Sequence, residues 1–273
     1  MTTAPASRLH RVRVLGHDIR VSVRPGTEPG PPLVLCNGIG ASLDLLEPFV
    51  AEVSPRIEVV RFDVPGVGGS SGPRAPYGFA SLSVLLGRLL HTLGYDTVDV
   101  LGISWGGGLA QQFAFQNPRR CRRVVLVSTG TGSLMVPAHP RVLATMVTPR
   151  RYRDPRYAVS IAGNLYGGRM RDEPELAGRL LHDQSRLGSQ RGYAFQLLAG
   201  VGWTSLPFLP LLRQETLVLA GNDDPLIPLV NARMMSRLLP HARLHVFDDG
   251  HLGLVTRASE LGPIVSDFVR DPG

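Results

Sequence analysis

Five consecutive residues, Gly102-Ile103-Ser104-Trp105-Gly106, have the types and spacing for nucleophilic chemistry. The β-formers Val98 to Ile103 run into them, and helix-forming residues follow at once. A Gly-x-Ser-x-Gly at such a junction forces the serine into a strained turn, with its hydroxyl projecting above the sheet. The flanking glycines are required because a Cβ there would strike the neighbouring strand and helix. A hydroxyl is a weak nucleophile by itself. It needs an imidazole to take its proton and a carboxylate to orient that imidazole.

Of the eight histidines, His241, His245 and His251 lie in the last strand–loop–helix stretch. His245 alternates with Leu244 and Val246 inside a strand pattern, and His241 follows Pro240 at a helix end. His251 follows Asp248-Asp249-Gly250 in a loop, which places it at the strand edge beside Ser104. The acid is expected after "TLVLAG", where "GNDDPLIP" offers Asp223 and Asp224. Adjacent residues point different ways, so one of them can reach the imidazole. Asp224 holds the fourth position of a Gly-x-x-Asp-x-x-x-Pro segment ending at Pro228, and Asp223 reads as a turn or capping residue.

A developing oxyanion needs two donors fixed in advance. The Trp105 N–H at a helix N-terminus supplies one, and the Ile39 N–H in the loop Asn37-Gly38-Ile39-Gly40 is the second candidate. Asn37 and Gly38 in that loop, with Trp203 further along, are candidate substrate contacts. The glycine-rich "FDVPGVGGSSG" at 62–72 resembles a phosphate cradle, but no lysine accompanies it, and it reads as a supporting loop.

These residues need a scaffold. Leu9 to Val14 and Ile19 to Val23, separated by Gly16, predict an antiparallel hairpin. "PPLVLCNG", "RIEVVRFDVPG", residues 98–103, "RRVVLVS", "ETLVLAG" and "RLHVFDD" read as buried strands. Helices are expected over 43–53, 81–94, 105–116, 229–239 and 258–270. The alternation implies an α/β fold with a mostly parallel, doubly wound sheet. From 131 to 213 the rhythm breaks into short helical pieces rich in proline and arginine. Residues 1–130 and 214–273 are therefore expected to form the core, and 131–213 a helical cap over the carboxyl ends of the strands.

Composition narrows the chemistry. All 29 basic residues are arginine, and the net charge is +7. Without lysine there is no Schiff base, no pyridoxal phosphate anchor and no Gly-Lys-Ser phosphate loop. Arginine-rich stretches at 119–123 and 141–156 read as solvated basic faces, and nothing suggests nucleic acid. Cys36 and Cys121 lack metal-ligand spacing and read as core thiols in a reducing compartment. No apolar leader or run long enough to span a membrane is present, so a cytoplasmic location is expected.

The Asn-Gly-Ile-Gly-Ala loop, "FDVPGVGGSS", "SWGGGLAQQFA", "AGVGWTS", "TLVLAGNDDPLIPL" and "DDGHL" together resemble the intracellular depolymerases of medium-chain-length polyhydroxyalkanoates. These are serine hydrolases of the α/β-hydrolase fold. The resemblance runs from the first hairpin to the last helix and places the family's triad on Ser104, Asp224 and His251. It implies hydrolysis of polyester bonds through an acyl-enzyme, no cofactor or metal, and a polyester polymer or inclusion surface as partner. The chain departs from the family at Asn222, where an acidic residue is expected, and around Arg186 to Arg191.

Overall fold

The structure, a computed structural model, describes residues 5–148, 150, 154–182 and 189–271. Arg186 lies outside the described residues. An eight-stranded sheet runs in the order β1-β2-β4-β3-β5-β6-β7-β8. The strands are β1 (Arg8–Val14), β2 (His17–Arg24), β3 (Leu33–Cys36), β4 (Val59–Phe62), β5 (Val98–Ile103), β6 (Cys121–Val127), β7 (Glu215–Gly221) and β8 (Ala242–Phe247). The hairpin β1–β2 and the β2–β4 pair are antiparallel, and every other pair is parallel. This is the mostly parallel sheet expected from the sequence.

Central strands are apolar on both faces because helices cover both. Val34, Val124, Leu126 and Val218 join one core cluster, while their neighbours Leu35, Val125, Val127 and Leu219 join the other. The helices Phe79–Thr92, Trp105–Gln116 and Leu229–Leu238 close the first face through Leu86, Leu89, Phe113 and Met235. Phe49 of the helix Glu47–Glu52 and Leu261, Val265 and Phe268 of Ala258–Arg270 close the second. Each such side chain contributes roughly 1.5–3 kcal/mol by leaving water.

Between β6 and β7 stand the helices Pro140–Val147, Pro155–Tyr166, Arg169–Asp172, Pro174–His182 and Gln190–Gly200. They hold a small cluster of their own, with Ala162, Leu165, Tyr166, Met170 and Ala177. Leu226 and Leu252 from the core loops plug into it. The last part of 131–213 behaves differently. Leu209 and Leu212 are buried in the main core, and Phe208 stacks on Phe115 at 4.4 Å.

Candidate active site

Ser104 follows the end of β5 with φ 54° and ψ −122°, a left-handed conformation that a serine adopts only when its surroundings impose it. The end of strand β6 and the residues just after it do the imposing. The Ser104 N–H donates to the Val127 carbonyl at 2.9 Å, and the Ser104 carbonyl accepts the Thr129 hydroxyl at 2.7 Å. Both flanking glycines are sterically required. A Cβ on Gly102 would overlap the Gly106 carbonyl, and one on Gly106 would overlap the Cys36 carbonyl. The elbow is a three-way crossing of backbone.

His251 Nε2 lies 2.9 Å from Ser104 Oγ, and His251 Nδ1 lies 2.8 Å from Asp224 Oδ2. The side chains of His251 and Asp224 are 3% and 1% exposed, so their attraction is weakly screened. The other Asp224 oxygen accepts the Leu226 and Ile227 N–H groups, both at 2.9 Å, which fixes the carboxylate plane. Asp223 turns away. It accepts the Gly168 N–H at 2.8 Å and pairs with Arg171 at 2.7 Å. Such an arrangement can move a proton from the hydroxyl to the imidazole and stabilise the resulting imidazolium.

The loop after β3 lies against the serine, since a Cβ on Gly38 would stand 3.7 Å from the Ser104 Cβ. The Trp105 N–H opens its helix and has no intrahelical acceptor. Two proposed contacts have other engagements. Asn37 donates from Nδ2 to the Ser42 carbonyl at 2.6 Å and accepts the Gly38 N–H at 2.8 Å, so its side chain shapes its own loop. Trp203 donates to Gln112 Oε1 at 2.7 Å and packs on Phe79 at 4.6 Å, which in turn packs on Trp105 at 4.8 Å. It supports the site from two rings away.

The glycine-rich loop is a brace. Asp63, fully buried, accepts the Leu43 N–H at 2.7 Å and the Gly69 N–H at 2.8 Å, tying that loop to the segment after Gly38. Burial pushes its carboxyl up, and these two N–H groups and Arg20 oppose the shift. Asn222 donates to Asp248 Oδ1 at 2.8 Å. An acidic residue there would face a like charge.

Sequence patterns did not disclose how the segment between β6 and β7 holds the loop that carries His251. The Tyr166 carbonyl accepts the His251 N–H at 2.7 Å, and the Tyr166 ring stacks on the imidazole at 6.1 Å. Next to it, Gly167 and Gly168 take positive φ angles of 65° and 46°. The Arg169 N–H then donates to Asp249 Oδ1 at 2.8 Å. Asp249 is buried, and it also accepts the Gly250 N–H at 2.6 Å and the Thr256 hydroxyl at 2.6 Å. A Gly-Gly pair ending a helix is the one local signal of this latch, because left-handed turns favour glycine.

The chain matches the α/β-hydrolase fold family over residues 31–258. It is 50% identical over 260 residues to the poly(3-hydroxyalkanoate) depolymerase of Ectopseudomonas oleovorans, covering 95% of this chain and 91% of that one. Among solved structures, the enol-lactonase of Burkholderia xenovorans superposes with a TM-score of 0.80 at 24% identity, covering 96% of this chain and all of that one. A thermophilic esterase from Thermogutta terrifontis does so with a TM-score of 0.80 at 21% identity, over 96% and 98% of the two chains. At these identities the two structures speak for the fold alone. The sheet order, the serine elbow and the close depolymerase relative lead to one placement: this chain is a carboxylic ester hydrolase of the α/β-hydrolase family, in the branch of the poly(3-hydroxyalkanoate) depolymerase.

Proposed function

We propose that the protein hydrolyses the ester bonds of medium-chain-length polyhydroxyalkanoates through an acyl-enzyme on Ser104. The observation that carries this reading is the unbroken hydrogen-bond line Ser104–His251–Asp224 in a chain half identical to a polyester depolymerase. Ser104 Oγ attacks the ester carbonyl while its proton passes to His251 Nε2. Asp224 holds the imidazole tautomer and stabilises the imidazolium. The N–H groups of Trp105 and Ile39 receive the developing oxyanion. When the tetrahedral intermediate collapses, the C–O bond breaks and His251 returns its proton to the departing hydroxyl. Water then attacks the acyl-serine by the same route in reverse, releasing a 3-hydroxyalkanoate monomer or oligomer. The steps combine covalent catalysis by Ser104 with proton transfer through His251 and electrostatic stabilisation by backbone donors.

The insertion serves in this reading as a cap that admits one polymer chain. Leu198 and Val201, at 53% and 74% exposure, offer apolar area to an inclusion surface. The decisive experiment incubates the purified protein with isolated medium-chain inclusions and identifies the acids released. Release of 3-hydroxyalkanoates by the wild type and none by Ser104→Ala is the expected result. Hydrolysis of acetyl esters with no attack on inclusions would assign the site to small soluble esters instead.

A further inference from the structure

Gln196 comes from the insertion, in the helix Gln190–Gly200, yet it is 1% exposed and bonded on both sides of the oxyanion site. Its Oε1 accepts the Gly40 N–H at 2.8 Å. Its backbone carbonyl accepts the Trp105 indole N–H, also at 2.8 Å. The first bond falls one residue after the Ile39 N–H. The second pins the side chain of the residue whose own N–H is the other donor.

Local geometry explains why the first bond matters. Gly38 to Ala41 form a turn closed by the Ala41 N–H on the Gly38 carbonyl at 3.2 Å, with Gly40 third at φ 72°. A positive φ there is what a type II turn demands. Types I and II differ by rotation of the middle peptide, here the unit joining Ile39 to Gly40. Rotation would bring the Ile39 carbonyl toward the place the Gly40 N–H now holds, and so toward Gln196 Oε1. Two carbonyl oxygens repel, so an acceptor at this point selects one turn type and, by fixing Gly40, restrains Ile39, whose own N–H lies in the preceding peptide.

We propose that Gln196 is a positioning residue for the oxyanion site, locking the Gly38–Ala41 turn with its side chain and the Trp105 side chain with its carbonyl. The insertion thereby takes part in the reaction step as well as in admitting substrate. Donors stabilise an oxyanion only if they are set before the charge develops, and a misplacement near 1 Å can cost about 10²-fold. This inference rests on the ester-hydrolysis reading above.

The test uses the full chain with Gln196→Met, which keeps bulk and removes the acceptor, and Gln196→Asn, which stays polar but falls short of Gly40. Turnover of p-nitrophenyl octanoate, inhibition by octylboronic acid as a tetrahedral mimic, and thermal unfolding are measured on each. Expected is a fall in kcat of about 10- to 100-fold, with KM changed less than about threefold. Boronate affinity should fall in parallel with kcat, a coupling that a merely structural strut would not produce. A kcat within about twofold of wild type in a folded variant, or a loss carried wholly by KM, overturns the proposal. So does failure of both variants to fold, which would make Gln196 a packing residue. Wild-type protein inert to the ester and to a fluorophosphonate probe would instead sink the ester-hydrolysis reading itself.

Discussion

Asp223 and Asp224 are chain neighbours with opposite allegiances. Asp224 faces His251 Nδ1 at 2.8 Å inside the core, while Asp223 accepts the Gly168 N–H of the insertion at 2.8 Å. One step of backbone separates orienting the imidazole from fastening the insertion. Asp224→Asn should therefore lower kcat by roughly 10²–10⁴-fold through the wrong imidazole tautomer. Asp223→Asn keeps an acceptor for Gly168 and loses a half-exposed pair with Arg171, a change of about 0–1 kcal/mol. Steady-state kinetics on a soluble ester rank the two, and the opposite order would transfer the orienting role to Asp223.

The strained backbone of Ser104 makes a prediction about stability. Ser104→Ala and Ser104→Gly should both abolish hydrolysis, with losses on the order of 10⁴ or more. Glycine tolerates φ 54° where alanine does not, so Ser104→Gly should be the more stable of the two by about 1 kcal/mol. Urea denaturation of both variants measures the difference, and an alanine variant equal to or above the glycine variant would refute stored strain.

Asp249 is the latch carboxylate. Replacing it with alanine strands the Arg169 and Gly250 N–H groups, while the Thr256 hydroxyl keeps the Leu252 carbonyl as an acceptor at 3.2 Å. Each abandoned donor carries a penalty of about 1–3 kcal/mol, so Asp249→Ala should lose several kcal/mol and slow catalysis through the displaced His251 loop. A variant with unchanged unfolding midpoint would show that the insertion is fastened elsewhere.

Burial pushes the thiols of Cys36 and Cys121 well above their ordinary range. Because the thiolate is the reactive form, neither should react with an aromatic disulfide reagent at pH 8 while the chain is folded. Both should react once it is unfolded. Rapid modification of one thiol in native protein would contradict the packing described above.

Adhesion to an inclusion should depend on the exposed apolar residues of the insertion and spare its buried ones. Leu198→Ser with Val201→Ser should weaken co-sedimentation with inclusions more than it slows turnover of a soluble ester. Each exposed apolar group contributes about 25 cal/mol per Å² covered, so the double change removes a few kcal/mol at most. Equal losses on both substrates would count against a surface role for this helix end.

The serine elbow, the strand–helix alternation and the positions of Asp224 and His251 are readable in one dimension, because each depends on neighbours a few residues away. Glycines flanking Ser104, two-residue apolar periodicity, and loops placed just after strands are short-range signals. The supports of the site are not of that kind. Gln196 and Gly40 stand 156 positions apart, and Arg169 and Asp249 stand 80 apart. Nothing local marks Gln196 among other helix residues, nor turns Trp203 onto Phe79. Those outcomes follow from which apolar faces pack when the insertion settles on the sheet. Packing brings distant backbone N–H and C=O groups together, and they must find partners once water is excluded. The residues that could react were thus written locally, whereas the contacts that hold them at reacting distance arise only when the chain closes on itself.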